Sequence, residues 1–485
     1  MPRSTAGAAP AIAPRRFFHG SQDAARAILD IPLGQNFQPG MFGRMFPLLK
    51  KFTAKEEDLA ELGKAMIETP AQAADPTRDN AGVPAGFTYF GQFVDHDITL
   101  DTTPFPERDV DPQAVENFRT PALELDSVYG NGPGAHPFLY QKGSGGLFKI
   151  GANQNVGASP TLDHDLHRDN QGVALIGDPR NDENLIVAQL HLAIEKFHNK
   201  VMTTRGLNFT DTRRAVTLHY QWIVLHDFLP KIVDPAVLQN VLSKGRKFYR
   251  PKKYPFIPVE FAAAAYRFGH SMVRETYSHN RIFPNATLMQ EFQFTGLSGS
   301  FVPVPSNWPI DWRRFFETTQ KAPGNAFNLS RKIDAGLTPQ LGSLPLGDPK
   351  PERNNLAVRN LVRGNSFKLP SGQSVAAAMG VAPLTPAELS SGADGAAAKA
   401  KGFHKKSPLW YYILKEAEVK AGGAHLGPVG SRIVAEVFVG LLEMSKDSIL
   451  SKGNKTWRPD LGPKPGEFTM AQLVEFVGEL NPVGD

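Results

Sequence analysis

The 485-residue chain contains no cysteine. That excludes disulfides, iron–sulfur ligation, thiolate ligands and every thiol-based attachment of a cofactor. Long apolar runs are missing too: no stretch reaches the roughly 18 apolar residues that a membrane span needs. Charge of one sign is not concentrated, since 53 Lys and Arg against 48 Asp and Glu leave a surplus of +5 spread along the chain. Without a basic block there is no signal for nucleic acid or a polybasic membrane contact. The opening "MPRSTAGAAPAIAPRRFF" has early Arg and small residues but no continuous apolar core, so no standard signal peptide is expected. The expectation is a soluble protein, cytoplasmic or exported by a leaderless route, with no transmembrane segment and no protein partner indicated.

Glycine and proline are plentiful, at 44 and 40 residues, and are scattered rather than gathered into a linker. Helices joined by long ordered loops follow from that distribution. Helical periodicity is read in "KEEDLAELGKAMIE" and over 87–98, 184–204, 212–229, 258–276 and 429–445, whereas "GLFKIGANQN" is the best candidate for a short strand. Residues 384–403, poor in large apolar side chains, are expected as an exposed, mobile loop with a helical turn. The fold class expected is mainly α: a large single domain with long ordered loops and little β. Its parts are an N-terminal arm (1–80), a catalytic domain (81–450) and a C-terminal tail (451–485) whose short helix packs on the core.

The chemistry-bearing residues form an ordered series. In "FGQFVDHDITLD", Gln92 and His96 stand four apart and share a helix face, flanked by Asp95 and Asp97. A neutral imidazole beside an amide suits the acceptance and return of a proton. In "TPALELDSVYG", Thr120, Glu124 and Asp126 offer hard oxygen atoms at alternate positions. With Asp97, and the Ala122 carbonyl in mid-loop, they would satisfy calcium, which takes six to eight oxygens. In "GDPRNDENLIVAQLHLAIEKFHNKV", Arg180 and Glu183 precede a long amphipathic helix. Arg180 would place positive charge where charge separates; the alternative is a plain helix start made by Asn181, Asp182 and Glu183. His191 and His198 read as packing or hydrogen-bonding residues rather than ligands.

In "FAAAAYRFGHSMVRETY", small side chains that admit a flat ligand lead to Arg267 and His270. His270 would supply an axial imidazole to iron, with Asn360 of "LAVRNLVRGNSF" accepting its other ring N–H and Arg363 meeting a propionate. The ordered set G-Q-x-x-D-H-D, T-x-x-x-E-x-D-x-V-Y-G, G-D-x-R-N-x-E, R-F-G-H and R-N-x-x-R-G resembles the animal-type haem peroxidase family (the peroxidase-cyclooxygenase superfamily), including its bacterial members, over roughly 85–445.

The resemblance implies a helical fold around haem b. His96 becomes the distal acid/base, with Gln92 and Arg180 completing its pocket. His270 becomes the proximal ligand to the haem iron, Asn360 its partner, and Arg267 and Arg363 propionate contacts. Asp97, Thr120, Ala122, Glu124 and Asp126 match the family's calcium loop, and Asp95 and Glu183 the carboxylates that esterify haem methyls. The implied activity is reduction of hydrogen peroxide, through a ferryl porphyrin radical, with oxidation of phenols, aromatic amines, bromide, iodide or thiocyanate. Two departures count. Asn184 stands where some members carry a methionine bonded to a haem vinyl, and no disulfide of the vertebrate members can form; both weigh against chloride oxidation. A fatty-acid dioxygenase of the same superfamily would need a tyrosine three residues before the proximal His, where this chain has Arg267. A non-catalytic haem-bearing adhesion protein would not need Gln92, His96 and Arg180 together.

Overall fold

The computed structural model describes residues 40–485 apart from 101–115, 158, 297–301, 325, 346–347 and 349. Most of the expected N-terminal arm, with the segment read for a signal peptide, lies outside the described residues. The part that is described starts with β1 (Gly40–Gly43) and α1 (Glu56–Ala65). Helix α1 opens on Glu56, Glu57 and Asp58 and ends near Lys64, a charge order that complements the helix dipole. It buries Leu59, Ala60 and Leu62, and a Cβ on Gly63 would lie 2.7 Å from the Val358 backbone, so glycine is what lets another helix approach so closely.

Helix α2 (Gly86–Ile98) follows, and Phe87, Phe90, Phe93 and Val94 are buried along it. Helix α3 (Leu185–Arg205) is buried on nearly every side, which makes it the central rod of the fold. Asn184 starts it by accepting the Val187 N–H at 3.0 Å, and Gly206 ends it in the left-handed conformation with φ 61. Helix α4 (Phe209–Ile223) continues into a π-turn over Val224–Phe228.

The later helices are α5 (Leu356–Ser366), α6 (Gly392–Ala400), α7 (Leu409–Ala421), α8 (Pro428–Met444) and α9 (Met470–Val477). Strand content is small. Strand β1 pairs antiparallel with Glu116–Asn117 and parallel with Ile257–Pro258, so the start of the described chain is hydrogen-bonded into the body. Helix α9 carries a Thr469–Gln472 capping box and buries Met470, Leu473 and Val474. Among the described residues no helix is long and apolar enough to cross a membrane.

Three expectations are corrected. The segment 258–276 is not one helix: an α-turn at Val259–Ala262 gives way to a 3₁₀ helix, Ala265–Met272, after Ala264 leaves helical geometry at φ −141, ψ −74. Within the α-turn, the buried Glu260 carboxylate accepts the N–H groups of Met45 and Phe46 and ties the turn to the start of the described chain. The segment 384–403 is not a loose exposed loop. It forms a short 3₁₀ turn and α6, and Leu389, Ala398 and Phe403 are buried, because its small residues allow close packing. The expected strand around 146–155 is limited to Ile150–Gly151, paired with Asp165–Leu166.

Candidate functional site

An apolar cavity, open to solvent, lies between α2, the start of α3, the 3₁₀ segment and α5. Phe87, Phe228, Phe268, Met272, Leu288 and Phe292 supply much of its apolar wall, and Leu341, Leu344 and Leu356 extend it. Its polar lining consists of Thr88, Gln92, Asp95, Glu183, Asn184, Arg267, His270 and Arg359, with the Tyr89 and Tyr266 side chains beside them. An apolar cleft with a few convergent polar groups is the usual form of a small-molecule or cofactor site.

Helix periodicity explains the α2 contribution. Thr88, Gly91, Gln92 and Asp95 recur at three- and four-residue spacing and make one stripe facing the cavity. On the other side, the 3₁₀ geometry has about three residues per turn, so Arg267 and His270 share an edge and both line the cavity. Burial, then the neighbouring Arg267, lowers the His270 imidazole to about 3 and keeps it neutral, the state in which it can coordinate a metal.

The polar wall is hydrogen-bonded. Gln92 Nε2 donates to Glu183 Oε2 at 3.2 Å, while Gln92 Oε1 accepts from Asn184 Nδ2 at 3.1 Å. Thr99 Oγ1 donates to Asp95 Oδ1 at 3.0 Å. Burial raises the Asp95 carboxyl, and Arg180 and Arg267 oppose that rise. Tyr266 donates its hydroxyl to the Gly91 carbonyl at 3.2 Å.

Five of the expected residues therefore meet in one cavity, namely Gln92, Asp95, Glu183, Arg267 and His270, and Asn184 joins them. Others are placed differently. His96, about 100° further round α2 than Asp95, is fully buried and does not line the cavity; its Nδ1 lies 2.8 Å from Asn181 Oδ1. Burial and Arg180 lower it to about 3, so it is a neutral base. Arg180 does not reach the cavity either. Its guanidinium donates to Asp178 at 2.7 Å and to the carbonyls of His96 at 3.0 Å and Thr99 at 2.6 Å, so it ties the end of α2 to the turn before α3. Burial would raise the Asp178 carboxyl, but Arg119 and Arg180 hold it far below the usual carboxylate range.

On α5 the expectation for Arg363 changes. Its guanidinium lies over the Phe367 ring, 4.4 Å from the centroid, and burial brings it down to about 10. Arg359 lines the cavity instead. The signal for it was in the sequence: Leu356 and Arg359 stand three apart on one helix face, and both reach the cavity. Asn360 does contact His270, at 2.7 Å between its Nδ2 and Nδ1 of the ring, but its oxygen is taken by Arg267 Nη1 at 2.9 Å. In this arrangement the amide does not accept from His270, contrary to the expectation.

Of the candidate calcium residues, Asp97 and Asp126 are hydrogen-bonded to the 120–127 loop. Asp97 accepts from the Leu125 N–H and the Ser127 hydroxyl, each at 3.2 Å, and Asp126 accepts from the Thr120 N–H at 3.4 Å. Leu125, between Glu124 and Asp126, sits at φ 58, a left-handed conformation that a leucine adopts at a cost. Burial first, then Asp126 and Glu124, push the Asp97 carboxyl well up, and burial takes Asp126 to about 6 despite Arg119. Asp126 Oδ1 is buried without a hydrogen bond, 3.6 Å from Arg119 Nη1. These features fit a cation, although among the described residues no three His, Cys, Asp or Glu side chains are set as a ready metal cluster.

A model of the animal haem peroxidase family matches residues 104–441. The chain is 26% identical to a peroxidase-like protein of Margaritifera margaritifera over 354 residues, which cover 58% of this chain and 44% of that one. With thyroid peroxidase of Rattus norvegicus it shares 25% identity over 185 residues, 33% of this chain and 20% of the other. It thus spans less than half the length of these curated relatives. Among solved structures, peroxidase A from Dictyostelium discoideum aligns with a TM-score of 0.65 at 15% identity, covering 93% of this chain and 94% of that one. Fatty acid alpha-dioxygenase of Arabidopsis thaliana aligns at 0.56 and 13% identity, covering 90% and 75%. At such identities the structural likeness speaks for the fold alone, while the family match extends over well more than half of the sequence and takes in the 3₁₀ segment with His270 and the helix with Asn360. On that match, the chain belongs to the animal haem peroxidase family.

Proposed function

We propose that this protein is a haem peroxidase that reduces hydrogen peroxide and oxidises small donors such as phenols, aromatic amines, bromide, iodide or thiocyanate. The observation that carries the reading is one apolar cavity holding a neutral imidazole, His270, together with the amide and carboxylate wall of Gln92, Asp95 and Glu183. These residues fit haem. The apolar lining suits a flat macrocycle, His270 would hold its iron, and Arg267 and Arg359 would meet its propionates. Haem, when bound, supplies the iron-centred redox chemistry of O–O cleavage.

The chain's own contribution is proton handling and positioning. His96, kept neutral by burial and Arg180, would be the base for the peroxide proton; it follows the cavity-lining Asp95 but does not itself line the cavity, so the proton would pass by way of a bridging water. Arg180 acts on His96 and on the end of α2 rather than on the peroxide itself. Gln92, clamped between Glu183 and Asn184, presents a fixed amide to the cavity. Calcium, held by Asp97, Thr120, Ala122, Glu124 and Asp126, would join α2 to the following loop and neutralise the crowded carboxylates.

The test is the absorption spectrum of purified, haem-reconstituted protein before and after stoichiometric peroxide. A Soret band that shifts on peroxide is expected; His270→Ala should lose most of the haem, and His96→Ala should keep haem but react slowly. A chain that takes up no haem would end this reading. For calcium, elemental analysis of holoprotein together with stability in chelator is the check.

One observation favours a second reading, a fatty-acid dioxygenase: Tyr266 lines the cavity, although it stands four residues before His270 rather than three. Oxygen uptake with a long-chain fatty acid, abolished in Tyr266→Phe, would support it over the peroxidase.

A further inference from the structure

Behind the cavity wall a line of buried polar side chains leads away from His96, and the reading above leaves it unused. His96 Nδ1 is 2.8 Å from Asn181 Oδ1 and Asn181 Nδ2 is 2.9 Å from His191 Nδ1, while His191 Nε2, which makes no hydrogen bond, faces Glu195 Oε1 across 3.4 Å as a charge contact. None of the four residues is more than 2% exposed. Asn181 lies in the turn before α3, and His191 and Glu195 stand four apart on α3 itself. Phe93 of α2 meets the His191 ring edge-on, with centroids 6.2 Å apart. The other Glu195 oxygen is buried without a hydrogen bond, so the His191 ring is the group that answers the carboxylate's charge.

We infer that Glu195, acting through His191 and Asn181, decides which nitrogen of His96 carries the proton. The inference rests on the reading of His96 as the base that handles the peroxide proton. Burial pushes the Glu195 carboxyl up and His191 opposes that rise; while Glu195 is ionised, its charge draws an N–H and repels a lone pair, so His191 carries its hydrogen on Nε2. A neutral imidazole has one N–H, which makes His191 Nδ1 an acceptor for the Asn181 amide NH₂. The amide is then fixed with its oxygen toward His96. An amide oxygen accepts only, so the His96 proton sits on Nδ1. Nε2 of His96 is left with the lone pair, which is the atom a general base uses.

Each link is set by the one before it, because reversing one alone would put donor against donor or acceptor against acceptor where water does not enter. Reversal of the whole line requires a proton on Glu195. His96 would then be protonated on Nε2, where it cannot accept. Asn181, His191 and Glu195 do not line the cavity, so they are positioning residues for His96.

The experiment is ¹⁵N-histidine NMR of the full chain, with haem present as the diamagnetic ferrous carbonyl form, and His96 assigned from its loss in His96→Gln. The parent should show His96 protonated on Nδ1. In Glu195→Leu and Asn181→Leu that proton should move, wholly or in part, to Nε2, and the rate of reaction with peroxide should fall by about 10–100-fold at unchanged haem content. Adding Asn181→Asp to Glu195→Leu should restore the Nδ1 proton, because a carboxylate next to His96 accepts without help from Glu195. A parent protonated on Nε2 would overturn the inference without any variant. So would a Glu195→Leu protein that keeps both the Nδ1 proton and the parent rate. If the tautomers respond as stated but the parent does not react with peroxide, the relay stands and the peroxidase reading falls.

Discussion

Arg267 Nη1 donates to Asn360 Oδ1 at 2.9 Å, and this bond turns the other end of the amide, Nδ2, toward His270. In that state the ring nitrogen facing Asn360 accepts, and the imidazole proton belongs on Nε2. Coordination of iron through Nε2 needs the opposite arrangement, an Nδ1–H against an acceptor. A propionate that draws Arg267 away would free the amide to make it. Haem binding would thereby be coupled to the release of Arg267. Asn360→Leu should weaken haem binding by about 10–100-fold in a titration followed at the Soret band. Arg267→Leu should leave the amide free to turn and remove one propionate contact, with a smaller loss. Parent-like affinity in Asn360→Leu would show that the amide does not orient His270.

Asn184 performs two tasks at the mouth of α3. Its oxygen caps the helix on the Val187 N–H at 3.0 Å, and its Nδ2 holds Gln92 at 3.1 Å. Asn184→Ala removes both. Losing the cap costs about 1 kcal/mol, and the buried bond to Gln92 about as much again. Asn184→Ser, which keeps a capping oxygen, should recover about half of that loss. Urea unfolding of the three proteins is the measurement, and an unchanged midpoint in Asn184→Ala would refute the capping role.

Acid should unfold the protein partly through buried histidines. His198 accepts the Tyr129 hydroxyl on Nδ1 at 3.0 Å and donates from Nε2 to the Gly146 carbonyl at 3.2 Å. Burial lowers His198 to about 4, and His219 likewise. Both therefore bind protons more weakly in the folded chain than in the unfolded one. Each contributes nothing at pH well above 6.5. As pH falls from 6.5 to about 4 each subtracts stability, at up to about 1.4 kcal/mol per pH unit. Buried carboxyls raised by desolvation slope the other way, so the readout is a difference between proteins. His198→Gln should flatten the dependence of unfolding free energy on pH in that window by about one proton. Identical slopes in parent and variant would rule out His198 as a contributor.

What the sequence made legible follows local periodicity. Gln92 and Asp95 were visible as part of an α2 face, and Arg267 and His270 as neighbours, because short spacings map directly onto helix geometry. The orientation of Arg180 was not visible. It depends on Asp178 and on the carbonyls of His96 and Thr99, which only tertiary structure brings within reach. The same holds for the exchange of Arg363 for Arg359, decided by how α5 sits against the cavity and Phe367. The break in 258–276 was hidden because the alanines around Ala264 favour helix locally, while Ala264 itself leaves helical geometry. Residues 384–403 looked mobile because alanine and glycine resemble a linker in composition. In the fold those small side chains let α6 lie close to its neighbours.

The last prediction concerns how haem is held. Asp95 and Glu183 both line the cavity, from different elements, so two carboxylates can face different edges of one flat ligand. Their environments differ. Asp95 is pushed up by burial and steadied by Thr99, whereas Glu183 is held by Gln92. A carboxyl fixed by a hydrogen bond and shielded from water would be well placed to form an ester with a haem methyl, with added peroxide as the two-electron oxidant. One or two such links are expected, and no sulfonium link at Asn184, which has no sulfur. Covalent attachment would retain the cofactor and favour bromide, iodide, thiocyanate or organic donors over chloride. The measurement is acid-solvent extraction of peroxide-treated holoprotein, followed by mass spectrometry of the haem-bearing peptides. Haem retained on peptides containing Asp95 or Glu183, and released in Asp95→Val or Glu183→Gln respectively, would establish the links. If all the haem extracts free after turnover, the two carboxylates serve only as polar lining.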